Sequence, residues 1–354
     1  MNIATARLHN QRIIQADLTT PHDVVHWLGA MQAQDYAGVL WSIALRTPSL
    51  TIKDVEAAIT KGEIIRTWPM RGTLHFVAAE DARWMIELLA PRASQKSATR
   101  RKHLDITDEV IAKSKQILHD ALKGKKHLSR PDIFSLLNNA GVASADQRGV
   151  HILHYLAEQA FICFGPHIGK QPSFVLFNEW VAPTPKLTKD EALGRLAERY
   201  FTSHGPASEL DFTNWSGLTL TDVRRSIDIA STSLATFEAH NKTYWMSVTQ
   251  PEPDVSSLFL LPGFDEFILG YRDRSDILAP EYANAIVPGG NGMFLPTLII
   301  DGRVAGTWKR IITRNSVQLQ LIPFTPLSDK EKKSIEKAAE RYSKFLVVPV
   351  ELTF

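Results

Sequence analysis

Apolar residues near the start of the chain recur at helical spacing in three short stretches. Thr20-Pro21 reads as an N-cap and first helical position, Asp23 completes a capping-box start, and Val24, Leu28 and Met31 follow on one face. A second helix is expected over 38–46, with Val39, Leu40 and Ile43 inward. Thr51 and Asp54 open a third, with Val55, Ala58 and Ile59 inward and Gly62 as its stop. Residues 64–68 and 73–78 then read as two strands around the turn 69–72. Three short helices followed by a hairpin is the order of a winged helix.

The order recurs twice. A linking helix over 80–89, with Trp84 and Leu88 inward, leads into a basic run of Lys96, Arg100, Arg101, Lys102 and His103. By itself such a run reads as a solvated face or as a phosphate-contacting edge. Helices opened by Thr107 and by Ser129-Arg130-Pro131-Asp132, a third over 144–160, and a hairpin of 162–164 with 174–177 make the second unit. That third helix exposes Gln147, Arg148 and His151. Pro183 and Pro185 mark a linker. Helices over 190–203, 207–215 and 220–230 and a hairpin of 234–238 with 243–248 make the third, with Arg224 and Arg225 on its recognition-helix candidate. From Pro251 the pattern turns to β: strands at 258–261, 295–300, 303–308, 317–322 and 346–352, a hairpin signal at Asp301-Gly302, and a charged helix capped by Ser328. The expected class is α+β: three tandem winged-helix units (1–90, 91–182, 183–250) and a small C-terminal β-barrel (251–354).

Composition narrows the function less than the pattern does. The chain has 354 residues, 44% hydrophobic and 22% charged, with a formal net charge of only +2, so any basic surface must be local. The single cysteine, Cys163, lies in an apolar run and permits neither an intrachain disulfide nor a cysteine-type zinc site, which fits a reducing cytoplasm. No signal-peptide core or apolar run near 20 residues points to a membrane. No nucleotide-binding glycine motif occurs. The twelve histidines suggest no metal-ligand spacing, His151 and His154 being an i, i+3 pair without a third partner. No metal or other cofactor is therefore expected. Tandem winged helices favour duplex DNA, with helices at a groove and wings on the backbone. Arg71, Arg100, Arg101, Arg148, Arg224, Arg225, Lys309 and Arg310 are the candidate DNA contacts, and Arg314 extends the last cluster.

Candidate chemistry sits at Gln32-Ala33-Gln34-Asp35. Residues two apart diverge on a continuous helix, but where a helix ends and the chain extends they face one point. Two converging amides can hold a water and offer carbonyl dipoles, and Asp35 could act as a base, which an amide cannot. Such a pair suits release of an N-alkylated purine, whose positive charge already activates the leaving group. What remains is to stabilise an oxocarbenium-like sugar and position water. The competing reading is that Gln32 and Gln34 only finish a helix. His75 is either a core histidine bonded to backbone or a support for the site. Trp68 and Thr73 read as packing, and Asp265-Glu266, the alternative acid pair, as turn polars.

Gln32-Ala33-Gln34, the run Thr67-Trp68-Pro69-Met70-Arg71-Gly72-Thr73-Leu74-His75, Leu261-Pro262-Gly263-Phe264-Asp265 and Val304-Ala305-Gly306-Thr307-Trp308-Lys309 together resemble the YcaQ/AlkZ-like crosslink-repair DNA glycosylases of the tandem winged-helix superfamily. The resemblance spans essentially the whole chain. It implies a C-shaped DNA-binding face and a catalytic role for Gln32 and Gln34; Asp35 and His75 are possible support on their own chemistry, not through the resemblance. The Gln-x-Gln form is closer to the branch acting on bulky guanine adducts than to the Gln-x-Asp branch. Ala33 is small for the middle position. The function expected from the resemblance is a monofunctional DNA repair glycosylase. It would act on bulky or crosslinked N-alkylpurines of N7-alkylguanine type in duplex DNA, as a cytoplasmic, nucleoid-associated monomer with an open cleft. The alternative is a non-catalytic DNA-binding or regulatory protein.

Overall fold

A computed structural model describes residues 2–248, 257–313 and 316–353; Arg314 and the start of the expected C-terminal unit lie outside them. The chain opens with a helix that the pattern did not suggest, α1 (Ile3–Asn10). Its buried polar residues are tied far along the chain, Arg7 Nε donating to Pro206 O (2.9 Å) and Asn10 Nδ2 to Gly205 O (2.6 Å). Helix α2 (Pro21–Leu28) starts with the Thr20–Asp23 capping box and ends at Gly29, whose φ of 80° turns the chain. Met31 is thus not helical: Met31–Gln32 form a short strand, β1. Helices α3 (Tyr36–Ala44), capped by Asp35, and α4 (Ile52–Lys61), with its own Thr51–Asp54 box, precede the hairpin β2 (Ile64–Met70) and β3 (Thr73–Ala78). Helix α5 (Ala79–Lys96) then runs 18 residues.

The second unit comprises α6 (Ala98–His103), α7 (Asp108–Leu122), β4 (Leu128–Ser129), α8 (Arg130–Asn139), α9 (Arg148–Glu158), the hairpin β5 (Ile162–Ile168) and β6 (Gln171–Leu176), and α10 (Phe177–Trp180). Helix α9 starts later than expected because Asp146 and Gln147 both take positive φ. The third unit is α11 (Lys189–His204), α12 (Glu209–Ser216), α13 (Leu220–Ala230) and the hairpin β7 (Leu234–Ala239) and β8 (Lys242–Ser247).

The C-terminal part holds β9 (Leu258–Leu261), the short α14 (Glu266–Leu269) and α15 (Ala283–Ile286), then β10 (Thr297–Ile300), β11 (Arg303–Ile312), β12 (Val317–Pro323), α16 (Asp329–Leu346) and β13 (Val350–Thr353). The hairpin at Asp301-Gly302 turns with both residues at positive φ, 47° and 82°, as a primed turn requires. A small β-barrel or sheet was expected here, and the described strands form a five-stranded sheet in the order β13-β12-β11-β10-β9. Helix α16 packs against both end strands, β9 and β13, where closure would have paired them.

Packing couples the ends of the chain. One apolar cluster joins Leu8, Val24, Leu40 and Trp41 to Leu260, Trp308, Tyr342 and Phe345. Its indoles are satisfied, Trp41 Nε1 donating to Leu260 O and Trp308 Nε1 to Leu261 O, both at 2.8 Å. A second cluster joins α5 to α11–α13, and a third fills the second unit. The first unit is therefore held between the C-terminal sheet on one side and the third unit on the other.

Candidate active site

The glutamine motif rides on the edge of the sheet β1-β3-β2. Gln32 lies opposite His75, and His75 opposite Thr67, so the three share one row across the sheet. The ladder continues one residue further, Ala33 N–H donating to Leu74 O at 2.8 Å. Extension past Gly29 puts Gln32 and Gln34 on the same side of the chain. Their amides meet: Gln32 Nε2 donates to Gln34 Oε1 at 3.1 Å. Gln34 is exposed, whereas Gln32 Oε1 is buried and has no hydrogen-bond partner among the described residues. A buried acceptor left open in this way is costly unless a ligand or water completes it. The pair leaves the exposed Gln34 amino group available and the Gln32 carbonyl unpaired though closed to solvent.

The backbone under the pair is fixed from three elements. Glu266 Oε1 accepts from Gln32 N–H at 3.0 Å. Arg66 on β2 donates twice to the carbonyl of Ala33, from Nε at 3.2 Å and Nη2 at 2.7 Å. Asp35 caps α3 through Gly38 N–H at 3.1 Å and takes Arg310 Nη2 on the same oxygen at 3.1 Å. Asp35 is therefore a structural cap held in an ion pair. Arg310, a candidate DNA contact, is the partner that holds it.

His75 is fully buried. Nδ1 donates to Thr73 O at 2.9 Å, leaving Nε2 to accept from Arg71 Nη2 at 3.0 Å. Burial, then the Arg71 charge, pushes its pKa down to about 3, so the ring is neutral and cannot donate from Nε2. Arg71 sits at the hairpin turn with φ of 56° and also donates to Trp215 O at 2.7 Å. Its guanidinium is spent on protein acceptors rather than standing free in solvent. Glu266 is buried beside this row, with Oε2 accepting from Trp215 Nε1 at 3.0 Å and lying 3.6 Å from His204 Nε2. Burial raises its carboxyl, but the hydrogen bonding and charge at His204 and the Arg71 charge outweigh that, and the group is held below the usual carboxylate range. Asp265 next to it is equally buried, locked by both terminal nitrogens of Arg46 at 3.0 Å and by Ser42 Oγ at 2.5 Å. The acid pair read from sequence as turn polars is thus buried and fully engaged. Glu266, Arg66 and Trp215 were not foreseen as parts of the site.

The remaining candidates spread over other units. Arg100 is exposed and donates to Gln147 Oε1. Arg101 donates to Ser94 O and Ser97 Oγ and stacks over Tyr155 at 4.2 Å. Arg148 donates to Asp105 O. Arg224 and Arg225 pair with Glu209 (3.1 Å) and Asp190 (2.6 Å). Lys309 is exposed on β11. Trp68 is packed between His154 and Phe164. One spacing was passed over in the sequence: His22 and His26, four apart on α2, face Glu80 and Asp81. His26, Glu80 and Asp81 bring possible ligand atoms within 4.8 Å of one another. Arg199 already donates to both Asp81 and His26, so a cation is in place there. Cavities of about 660 and 600 Å³ lie elsewhere, the latter lined by Arg71, Arg92, Lys96, His154 and Asn214, and neither is lined by Gln32 or Gln34.

Comparison with known proteins agrees along the length of the chain. The chain is 25% identical to the interstrand DNA cross-link repair glycosylase of Streptomyces sahachiroi, over 94% of this chain and 92% of that protein. The solved structure of the DNA glycosylase AlkZ from the same organism superposes with a TM-score of 0.80 at 23% identity, covering 99% of this chain and 98% of that one, and so shares its fold. The family model for AlkZ-like DNA glycosylases matches residues 25–345. The chain therefore belongs to the AlkZ-like DNA glycosylase family, hydrolases of N-glycosyl bonds in DNA.

Proposed function

We propose that this DNA repair glycosylase is monofunctional and removes bulky or crosslinked N-alkylpurines of N7-alkylguanine type from duplex DNA, with Gln32 and Gln34 as its catalytic residues. The observation that carries the reading is the hydrogen-bonded amide pair with one buried carbonyl left open. The Gln34 amino group orients a water at C1′ and the Gln32 carbonyl dipole offsets positive charge developing on the sugar; as the C1′–N bond breaks and the neutral base leaves, the water adds to C1′ and its proton passes to bulk solvent. No acid is needed, because an N7-alkylated purine leaves as a neutral base. The site fits that economy: His75 is a neutral acceptor, and Asp35 is a cap paired with Arg310. His75 and Asp35 thus support the site without moving a proton.

We read the three helix-and-hairpin units as winged helices, bounded at residues 90, 182 and 250, closing on damaged duplex DNA as a monomer in the cytoplasm. Arg100, Arg101, Arg148, Arg224, Arg225 and Lys309 meet phosphates, and these arginines, like Arg71 and Arg310, reach the duplex by exchanging their present partners. That neither of the cavities of about 660 and 600 Å³ is lined by Gln32 or Gln34 supports a bulky adduct held in an open cleft rather than in a closed pocket. The test is base release from duplexes carrying a small N7-alkylguanine, a bulky one and an interstrand crosslink, with spontaneous depurination subtracted. Release of the bulky and crosslinked lesions above background is expected; release of the small lesion alone would overturn the substrate assignment.

A further inference from the structure

Residues 262–270 are buried without a break, and they carry two carboxylates into the core beside the glutamine motif. Asp265 anchors this segment through its bidentate pair with Arg46 and its cap on Phe267 N–H. Glu266 is then left with two oxygens and two well-formed partners from different parts of the chain, the backbone N–H of Gln32 on β1 and the indole N–H of Trp215 on α12. Burying a carboxylate is costly, and here it is offset by the two N–H donors it satisfies, which an apolar residue would strand, with His204 Nε2 a further 3.6 Å from Oε2. Only a carboxylate offers two acceptors at this spacing with no hydrogen to clash with either donor.

We propose that Glu266 is a positioning residue for base release, acting on the substrate only through Gln32, whose strand it references to the core and to the third unit at Trp215. This rests on the assignment of Gln32 as catalytic. Gln32 pairs with β3 through a two-residue strand at a sheet edge, which is weak support for a group that must hold a water within a few tenths of an ångström. Glu266 supplies the missing constraint at the same residue, and Arg66 does so one residue on.

The test is single-turnover release from a duplex bearing a bulky N7-alkylguanine, by wild type, Glu266→Gln, Gln32→Ala and the double variant, with duplex affinity measured for each. The amide of Glu266→Gln turns a donor toward one of the two N–H groups. We expect release slowed about 30-fold with affinity within about 2-fold, equivalent to about 2 kcal/mol in the transition state alone. In the Gln32→Ala background the same substitution costs under about 3-fold, since a residue acting through Gln32 has nothing left to act on. Losses that multiply, or a full-rate Glu266→Gln enzyme, overturn the role. Hydrogen exchange of the wild-type protein tests the contact without any variant: the Gln32 amide is expected to be protected, and exchange at the free-peptide rate overturns the role. Absence of release by wild type would instead overturn the proposed function itself, a distinguishable result.

Discussion

Arg66 offers the sharpest perturbation, because its guanidinium makes both hydrogen bonds to the carbonyl between the two glutamines. Arg66→Ala removes charge-assisted bonds worth about 1.5–3 kcal/mol and leaves the Ala33 carbonyl short of its donors. It also removes the stacking of Arg66 over Phe164 at 4.8 Å and Tyr36 at 5.3 Å, worth about 0.5–1 kcal/mol. Part of this is returned, since burial opposes the Arg66 charge and lowers its pKa to about 10, and water refills part of the half-buried site. The net cost to holding the strand extended is about 2 kcal/mol, which means local opening about 30 times more frequent. The assay is amide exchange at Ala33, whose N–H is bonded to Leu74 O, alongside single-turnover base release. Exchange at Ala33 should quicken about 30-fold and release should slow at least 10-fold, by the effect of misplacing a positioned group. Arg66→Lys, with a single donor nitrogen and no planar fork, should fall between. Unchanged exchange at Ala33 in Arg66→Ala would refute the clamp, and unchanged release with faster exchange would refute its importance to chemistry.

Three further outcomes follow from the same network. The folded-state pKa of His75 lies near 3 and its unfolded value near 6.5, so only the unfolded state binds the proton as pH falls through 6.5; stability is untouched above pH 7 and is lost on acidification, by about 2 kcal/mol at pH 5. Urea unfolding of His75→Gln should show that much less loss between pH 7 and pH 5, and an acid limb identical to wild type would contradict the buried neutral tautomer. Asp35→Asn should keep the α3 cap and weaken only the partly exposed pair with Arg310, costing about 1 kcal/mol by thermal unfolding and less than about 5-fold in release; a loss of 100-fold would restore Asp35 as a base. Breaking the fully buried Arg46–Asp265 pair by Asp265→Asn should cost about 3–5 kcal/mol in urea unfolding, since it strands a guanidinium in the core, and a cost under 1 kcal/mol would contradict that.

How much of this could be read in the sequence depended on the range of the interaction. The Thr20–Asp23 and Thr51–Asp54 boxes, the Gly62 stop and the Asp301-Gly302 turn are decided within four residues, and they appear where the pattern puts them. The extended Gln-x-Gln was legible only as a condition, since two side chains converge if the chain leaves the helix, but Met31 fits the helical spacing of Val24 and Leu28 and hides the exit at Gly29. Helix α1 was not legible, because Arg7 and Asn10 are buried polar groups satisfied by carbonyls about 200 residues away. Glu266 was misread for the same reason: a carboxylate after a Pro-Gly turn is ordinarily solvated, and nothing local announces that Gln32 and Trp215 will close over it. The strands themselves left a barrel or a sheet open, the barrel being what the resemblance implies, and the packing of α16 against both end strands is an outcome that strand pattern does not contain.

The central claim is that the amide pair performs the chemistry. It is tested most directly by single-turnover release of a bulky N7-alkylguanine from duplex DNA by wild type and Gln34→Ala, with duplex affinity measured in parallel. Wild type should release the base well above spontaneous depurination, and release should fall about 10²–10³-fold in Gln34→Ala, as for loss of one preorganised polar group in an active site, at unchanged affinity. Undiminished release by Gln34→Ala would contradict it.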